Sequence, residues 1–353
     1  MSKIAVVGAG KTGRGFIGRL LAEDNAEIVF IDKDKVLVDE LNAKGEFTVR
    51  FFGNVREPFT VKNFKAYTWE NADIDGCELI LVSVGGQNLP DVGASLAGLL
   101  KDNVHYTIIT CENSSKPSAV LSAAIGNMDI SVSEATVFCT TTDSGLDIDS
   151  ENYPYLQCNA DLLGGYDVKI RGIRPIENFG NFLTRKLYTY NAASCVIAYL
   201  GYVKGYTDYA KAANDEEILR QLDKNYEVTN KVLCKEFGYD EADQAEFAAL
   251  SKEKFCSKTI VDTVARNARD PERKLAKGER IMGPMCLIYE NGIMPEVLIK
   301  TAAAALLYDN EKDVKWREIK ASKSNGEILT DVCGLEKDGV LYNAILDEVE
   351  KIK

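Results

Sequence analysis

A glycine loop set between two strand-like runs constrains this chain more than any other feature. Gly8-Ala9-Gly10-Lys11-Thr12-Gly13 follows the apolar run Lys3-Ile4-Ala5-Val6-Val7. After it, Phe16, Ile17, Leu20 and Leu21 recur on one helical face. A second apolar run, residues 27–31, ends at Asp32, 19 residues beyond the last glycine. Each part has a physical reason. The first glycine allows a tight turn, the second lets a pyrophosphate approach the backbone, and the third lets helix and strand pack closely. The helix N-terminus attracts the phosphates. The pattern predicts a dinucleotide site in which Gly8, Ala9, Gly10, Lys11, Thr12 and Gly13 surround the phosphates and Asp32 accepts from ribose hydroxyls. A carboxylate there repels a 2′-phosphate, so NAD is expected, although Lys33 and Lys35 leave an NADP reading open.

The next segments extend this unit. Residues 46–62 alternate around Gly53-Asn54 and predict a hairpin insertion. Leu79-Ile80-Leu81-Val82-Ser83-Val84 reads as a buried strand closed by Gly85-Gly86, and residues 106–110 as another, closed by Cys111-Glu112-Asn113. Ligand loops of an open α/β sheet lie at the carboxyl ends of its strands, so Gly85 and Asn113 are expected near the reactive end of the cofactor. Asn113 could orient a substrate oxygen or cap the next helix. Residues 137–142 suggest a last strand leading to Asp143, and residues 153–172 an irregular linker. Helical periodicity dominates from about residue 178 onward. The expected architecture is α/β: an N-terminal Rossmann-type doubly wound sheet over residues 1–175, then a mostly α-helical C-terminal domain over 176–353.

Composition narrows the chemistry. With 353 residues the chain can bury the cores of two domains. A net charge of −12 argues against a nucleic-acid or anionic-membrane partner. No apolar run approaches the roughly 18 residues of a membrane span. The chain opens directly into a strand, and its nine cysteines are scattered without a Cys-x-x-Cys pair, so a reducing, cytoplasmic setting is expected. A single histidine, His105, rules out a multi-histidine zinc site and restricts histidine-based catalysis. Proton transfer must fall to lysine, a carboxylate, tyrosine or cysteine.

Residues 178–204 read as one long, mostly apolar, buried helix. On α-helical geometry Asn191 lies about 140° around the axis from Lys186, with Ser194 at about 80°, so all three could face one cleft. A buried amine loses its proton more readily and becomes a usable base near neutral pH. Asn191 could then donate to an oxygen gaining negative charge, as could Asn113. The alternative is that Lys186 snorkels to the surface and Asn191 is a satisfied core amide.

The pattern Lys186, four residues, Asn191, two residues, Ser194 resembles the signature of the polyol-specific long-chain dehydrogenases/reductases, in which the last position is histidine. The opening loop 7–18, Cys111-Glu112-Asn113, Arg185-Lys186-Leu187, Ala198-Tyr199-Leu200-Gly201 and the stretch 266–280 resemble the phosphate-specific branch of that family. The likeness spans essentially the whole chain. It implies metal-independent hydride transfer between NAD and a polyol/ketose pair, with Lys186 as acid/base and Asn113 and Asn191 stabilising the oxyanion. It also implies that Asp143 lies near the substrate, although the arginine that usually follows it is Ser144 here. Ser194 in place of histidine bears on which substrate hydroxyls are recognised.

Residues 266–280 gather six cations in fifteen positions of an acidic chain. Guanidinium groups clamp phosphates, so Arg273 and Lys274 are candidates to hold a phosphorylated sugar or polyol. A solvated face paired with Asp270, Glu272 and Glu279 is the alternative. The expected function is the interconversion of a sugar-alcohol phosphate and a ketose phosphate by a monomer or small homo-oligomer. The rivals are a reductase of another ketose or a sugar acid, and a non-catalytic NAD(H)-binding sensor.

Overall fold

The structure, a computed structural model, describes residues 2–77, 79–259 and 262–353. It divides into two compact units, Met1–Gly180 and Asn181–Lys353.

The first unit carries twelve strands among the described residues: β1 (Lys3–Val7), β2 (Glu27–Ile31), β3 (Phe47–Phe51), β4 (Phe59–Val61), β5 (Phe64–Tyr67), β6 (Leu79–Val82), β7 (Tyr106–Cys111), β8 (Ile130–Thr136), β9 (Thr141–Ser144), β10 (Asp147–Ser150), β11 (Leu156–Asn159) and β12 (Ile173–Ile176). Eight form one sheet in the order β12-β11-β8-β7-β6-β1-β2-β5. From β8 to β5 the pairs are parallel, and only β11 meets β8 antiparallel. The chain leaves β1 toward β2 on one side and returns on the other with β6, which makes β1/β6 the topological switch point where such sheets bind ligands. The register is flush there. Val7 pairs with both Ile31 and Val82, and Val82 pairs with Thr110. The residues that follow these strands, Gly8, Asp32, Ser83 and Glu112, therefore share one edge.

The expected hairpin is present, with Phe47 opposite Val61. It belongs to a second, four-stranded sheet, β4-β3-β10-β9. That sheet explains a further glycine in the loop region: a Cβ on Gly15 would lie 2.2 Å from Ile148 of β10.

Three sequence expectations are corrected. Residues 137–142 are not the last strand of the main sheet. The strand that follows β7 in that sheet is β8, whose alternating serines hide it; Ser133 is buried and donates to the Asn159 carbonyl at 2.7 Å. Residues 153–172 are not a plain linker, because β11 pairs with both β8 and β12 and its Leu156, Gln157 and Cys158 are buried. The pairing of Ile176 with Asn159 draws β12 into the first unit, so the units part at Gly180 rather than at 175.

The second unit is helical among the described residues. Helix Ala192–Val203 runs through its core, against Glu216–Phe237 and Glu296–Leu307. The small residues Ala302, Ala303, Ala304 and Ala305 are fully buried and let the backbones approach closely. Tyr199, Tyr308 and Trp316 fill the remaining space. Six of the nine cysteines are buried small hydrophobes. No helix among the described residues is long and apolar enough to cross a membrane.

Candidate functional site

A cleft of about 750 Å³ opens at the carboxyl edge of the sheet, within the size range of cofactor pockets. The glycine loop forms its floor. Gly8 has φ +94°, and a Cβ there would sit 2.1 Å from the Ser83 carbonyl oxygen. A Cβ on Gly13 would sit 1.8 Å from the Gly8 carbonyl oxygen. These two glycines are required by the fold itself. Gly10 differs: a Cβ there meets nothing within 4 Å, so its bareness keeps open space beside the backbone. Lys11 and Thr12 line the same floor. The chain then enters a π-helical turn, Gly13–Gly18, rather than the expected α-helix; Arg19 donates its N–H to Arg14, five residues back.

Asp32 stands at the end of β2 with its carboxylate fixed by backbone donors. Oδ2 accepts from Ala9 N–H at 2.7 Å and Oδ1 from Asp34 N–H at 2.9 Å. A bare backbone cradle, a helix N-terminus and a fixed carboxylate at its rim fit a dinucleotide. Gly85, at φ +87°, lines the opposite wall. Its N–H and that of Val84 both donate to Glu112 Oε1 at 2.7 Å. Burial raises the Glu112 carboxyl above the usual range against those two donors. Glu112 was visible in the sequence only as a neighbour of Asn113.

Asn113 lines the cleft, but its carboxamide does not cap the following helix. Nδ2 donates to the Val137 carbonyl at 2.8 Å, and Oδ1 accepts from Val137 N–H at 3.1 Å and Thr136 Oγ1 at 3.2 Å. It staples the end of β7 to the end of β8. Asp143 lies on β9 and serves as a counter-ion: its Oδ1 is 3.6 Å from Arg14 Nη2. Arg14 is buried and also donates to the Ala9 carbonyl. Burial lowers its pKa, and the charges of Asp143 and Asp32 oppose that shift. His105 lies at the other end of β7, bonded to Asp129 and Ser131.

The single helix expected over 178–204 is broken into three parts: α-helix Phe179–Lys186, a π-helical turn Leu187–Asn191, and α-helix Ala192–Val203. Hydrogen bonds of a π-turn span five residues, so residues five apart become neighbours on successive turns. Lys186 and Asn191 are five apart. The separation of about 140° expected for an α-helix is thereby narrowed. Burial pushes the Lys186 amine down to about 7, with help from the positive charges of Lys254 and Arg280. Tyr188, inside the turn, packs so tightly on helix Met282–Glu290 that a Cβ on Gly283 would lie 2.5 Å from its hydroxyl.

Ser194 is bonded on both sides. Its Oγ accepts from the Tyr209 hydroxyl at 3.2 Å and donates to Asn267 Oδ1 at 3.5 Å. Of the basic stretch, Lys274 does not suit a phosphate contact: it is buried and donates to the carbonyls of Asn267 and Arg269. Burial lowers its pKa to about 8. Arg273 is half exposed and sits 3.3 Å from Asp270. Arg280, largely buried and 3.1 Å from Glu279, is the member of the stretch whose charge reaches Lys186. Lys254 comes from another helix, and no local sequence pattern links it to residue 186.

Two family profiles match the chain: one described as mannitol dehydrogenase Rossmann domain over residues 2–142, the other as mannitol dehydrogenase C-terminal domain over residues 178–350. The mannitol-1-phosphate 5-dehydrogenase of Thermoanaerobacter pseudethanolicus is 29% identical, with 100% of this chain and 98% of that protein aligned. The Geobacillus stearothermophilus protein of the same name is 28% identical, over 98% of both chains. Among solved structures, a substrate-free D-sorbitol dehydrogenase superposes with a TM-score of 0.75 at 13% identity, covering 99% of this chain and 92% of its own. The Pseudomonas fluorescens mannitol 2-dehydrogenase in ternary complex with NAD and D-mannitol gives 0.66 at 14% identity, over 99% and 91%. At that identity the superpositions speak for the fold alone. The matched profiles together cover nearly the whole chain, and the chain belongs to the mannitol dehydrogenase family.

Proposed function

We propose that this protein is an NAD-dependent oxidoreductase that interconverts a sugar-alcohol phosphate and a ketose phosphate, with mannitol 1-phosphate and fructose 6-phosphate as the pair. The observation that carries the reading is the π-turn Leu187–Asn191 set directly after Lys186, whose buried amine is brought down to about 7. Bound NAD supplies the hydride acceptor. The chain's own residues handle the proton and the charge. The neutral Lys186 amine accepts the proton of the hydroxyl being oxidised and returns it to the ketose oxygen in the reverse direction. The Asn191 carboxamide donates to that oxygen as negative charge develops. Asn113, stapled to the Val137 backbone, shapes the wall of the cofactor cleft.

Lys254 and Arg280 around Lys186 favour an anionic substrate, and of the basic stretch Arg280 is the better phosphate ligand than Arg273 or Lys274. Ser194, held by Tyr209 and Asn267, bounds the substrate side of the helix where relatives of the resembled family carry histidine. The abundance of scattered cysteines supports a cytoplasmic setting. The deciding experiment is an NADH-coupled assay with phosphorylated and free hexitols, ketoses and sugar acids, with and without a chelator. Turnover of mannitol 1-phosphate and fructose 6-phosphate, indifferent to chelator, supports the reading. A preference for a free ketose or a sugar acid would overturn the substrate assignment, and NADH binding without any turnover would overturn the enzyme.

A further inference from the structure

The π-turn is gripped from the side by a buried polar network that no role above uses. Gln244, on helix Glu241–Cys256, is fully buried. Its Oε1 accepts from Arg185 Nε at 2.6 Å, and its Nε2 donates to Thr189 Oγ1 at 3.2 Å and Asn230 Oδ1 at 2.8 Å. Arginine can only donate, so the Gln244 oxygen must face Arg185 and its amide must face Thr189. Arg185 directly precedes Lys186, and Thr189 lies inside the π-turn. Both are buried. Arg185 is further fixed by the Asp243 carbonyl at 2.9 Å and the Asp243 carboxylate at 2.7 Å. Its guanidinium lies over the Phe247 and Tyr239 rings, 4.3 and 4.5 Å from their centroids. Tyr190 meets Phe247 edge-on at 4.9 Å.

One helix thus holds the chain on both sides of Lys186, and the same helix carries Lys254. A π-turn contains one residue more than the α-turn it replaces and is rare for that reason. Relaxing it would rotate Thr189 away from Gln244 and leave a buried amide N–H without its acceptor, a penalty that favours the π form.

We infer that Gln244, together with Arg185, is a positioning residue for the acid/base lysine: its bond to Thr189 locks the π-turn that brings Lys186 and Asn191 toward a common face. The inference rests on the reading of Lys186 as the acid/base. The charged groups that act on Lys186 include Lys254 on helix Glu241–Cys256 and Arg280 ahead of helix Met282–Glu290, the latter paired with Glu279. A loosened turn changes the depth of the amine beside those cations, so the pH dependence of turnover reports on it.

The test uses the full-length enzyme with NAD and compares Thr189→Val, Thr189→Ser, Gln244→Met and Lys186→Ala. Thr189→Val swaps the hydroxyl for a methyl of nearly the same shape and decides alone where Gln244→Met does not fold. In Thr189→Val and Gln244→Met, kcat for polyol oxidation at pH 7 falls about tenfold, and the pH of half-maximal rate rises by about one unit as the lysine returns toward its ordinary pKa. KM for NAD stays unchanged, and Thr189→Ser retains the parent profile. A parent-like kcat and midpoint in Thr189→Val, with or without a lower Tm, overturns the positioning role. If Lys186→Ala itself retains turnover, the acid/base reading fails instead. If Lys186→Ala is inactive while Thr189→Val behaves as the parent, only the positioning role fails.

Discussion

Ala192 donates its backbone N–H to the carbonyl of Leu187, five residues back. That bond marks a π-turn, which draws together two side chains that an α-helix of the same spacing would splay. Lys186 and Asn191 depend on it for their common face, and the chemistry proposed for this protein depends on that face.

The first consequence is a pH profile. With its amine lowered to about 7 by burial, Lys186 is neutral above that pH and protonated below it. Polyol oxidation needs the neutral amine, so its kcat/KM should rise through pH 7 and level off. Ketose reduction needs the protonated amine, so its rate should fall above pH 7. Lys186→Ala should lose a factor of about 10²–10⁴ in both directions while NADH binding, followed by fluorescence titration, persists. Profiles that run in the same sense in the two directions would remove Lys186 from the role.

A second consequence concerns the phosphate. Arg280 reaches Lys186 with its charge, whereas Arg273 is half exposed and paired with Asp270. A charge-assisted contact is worth about 1.5–3 kcal/mol, so Arg280→Ala should raise KM for fructose 6-phosphate roughly tenfold to a hundredfold. Arg273→Ala should leave KM within about twofold, as expected of an exposed pair. Steady-state kinetics on the two variants decide between them; a reversed order would return the phosphate to Arg273.

The glycine loop predicts a separation of stability from binding. Gly8→Ala places a Cβ against the Ser83 carbonyl at a left-handed φ. The dihedral alone costs on the order of 1–3 kcal/mol, and the collision adds to it, so thermal unfolding should come markedly earlier. Gly10→Ala meets no protein atom. Its melting temperature should stay near the parent value, while NADH affinity falls because the new methyl enters the space a pyrophosphate needs. Equal effects of the two substitutions on Tm would contradict this division of roles between Gly8 and Gly10.

How much was legible beforehand follows from what each residue's neighbours are. Gly8, Gly13 and Asp32 could be read because a βαβ unit is local, and its spacing states its own geometry. The hairpin of β3 and β4 was legible for the same reason. Strand β8 was hidden because its serines are satisfied by partners distant in sequence, as Ser133 is by Asn159. The π-turn was invisible because Leu187, Tyr188, Thr189 and Tyr190 fit an α-helix equally well. The bond from Gln244 to Thr189 that marks the difference spans 55 residues. Lys254 and Arg280 likewise meet Lys186 only through tertiary packing. Lys274 misled for the opposite reason: its place among arginines suggested an anion site, and only its burial shows that it serves the backbone.

That burial makes Lys274 a test of linkage. Its folded-state pKa is about 8, against about 10.4 in an unfolded chain. Between those values the unfolded chain binds the extra proton, so this residue's contribution to stability grows as pH rises from about 8 to about 10. Below pH 8 both states are protonated and the contribution is flat, at its least favourable. Lys274→Met removes the titration and leaves the carbonyls of Asn267 and Arg269 without their donor. Relative to the parent, the variant should therefore lose about 2 kcal/mol more at pH 10 than at pH 7, the equivalent of the window traversed. The comparison must be a difference from the parent, because buried thiols such as Cys158, pushed up to about 12 by burial, shift the absolute stability in the opposite sense over the same range. Urea unfolding of the two proteins at pH 7 and pH 10 measures it. A destabilisation that shrinks with pH would mean that the buried ammonium, rather than the neutral amine, is the form the fold prefers.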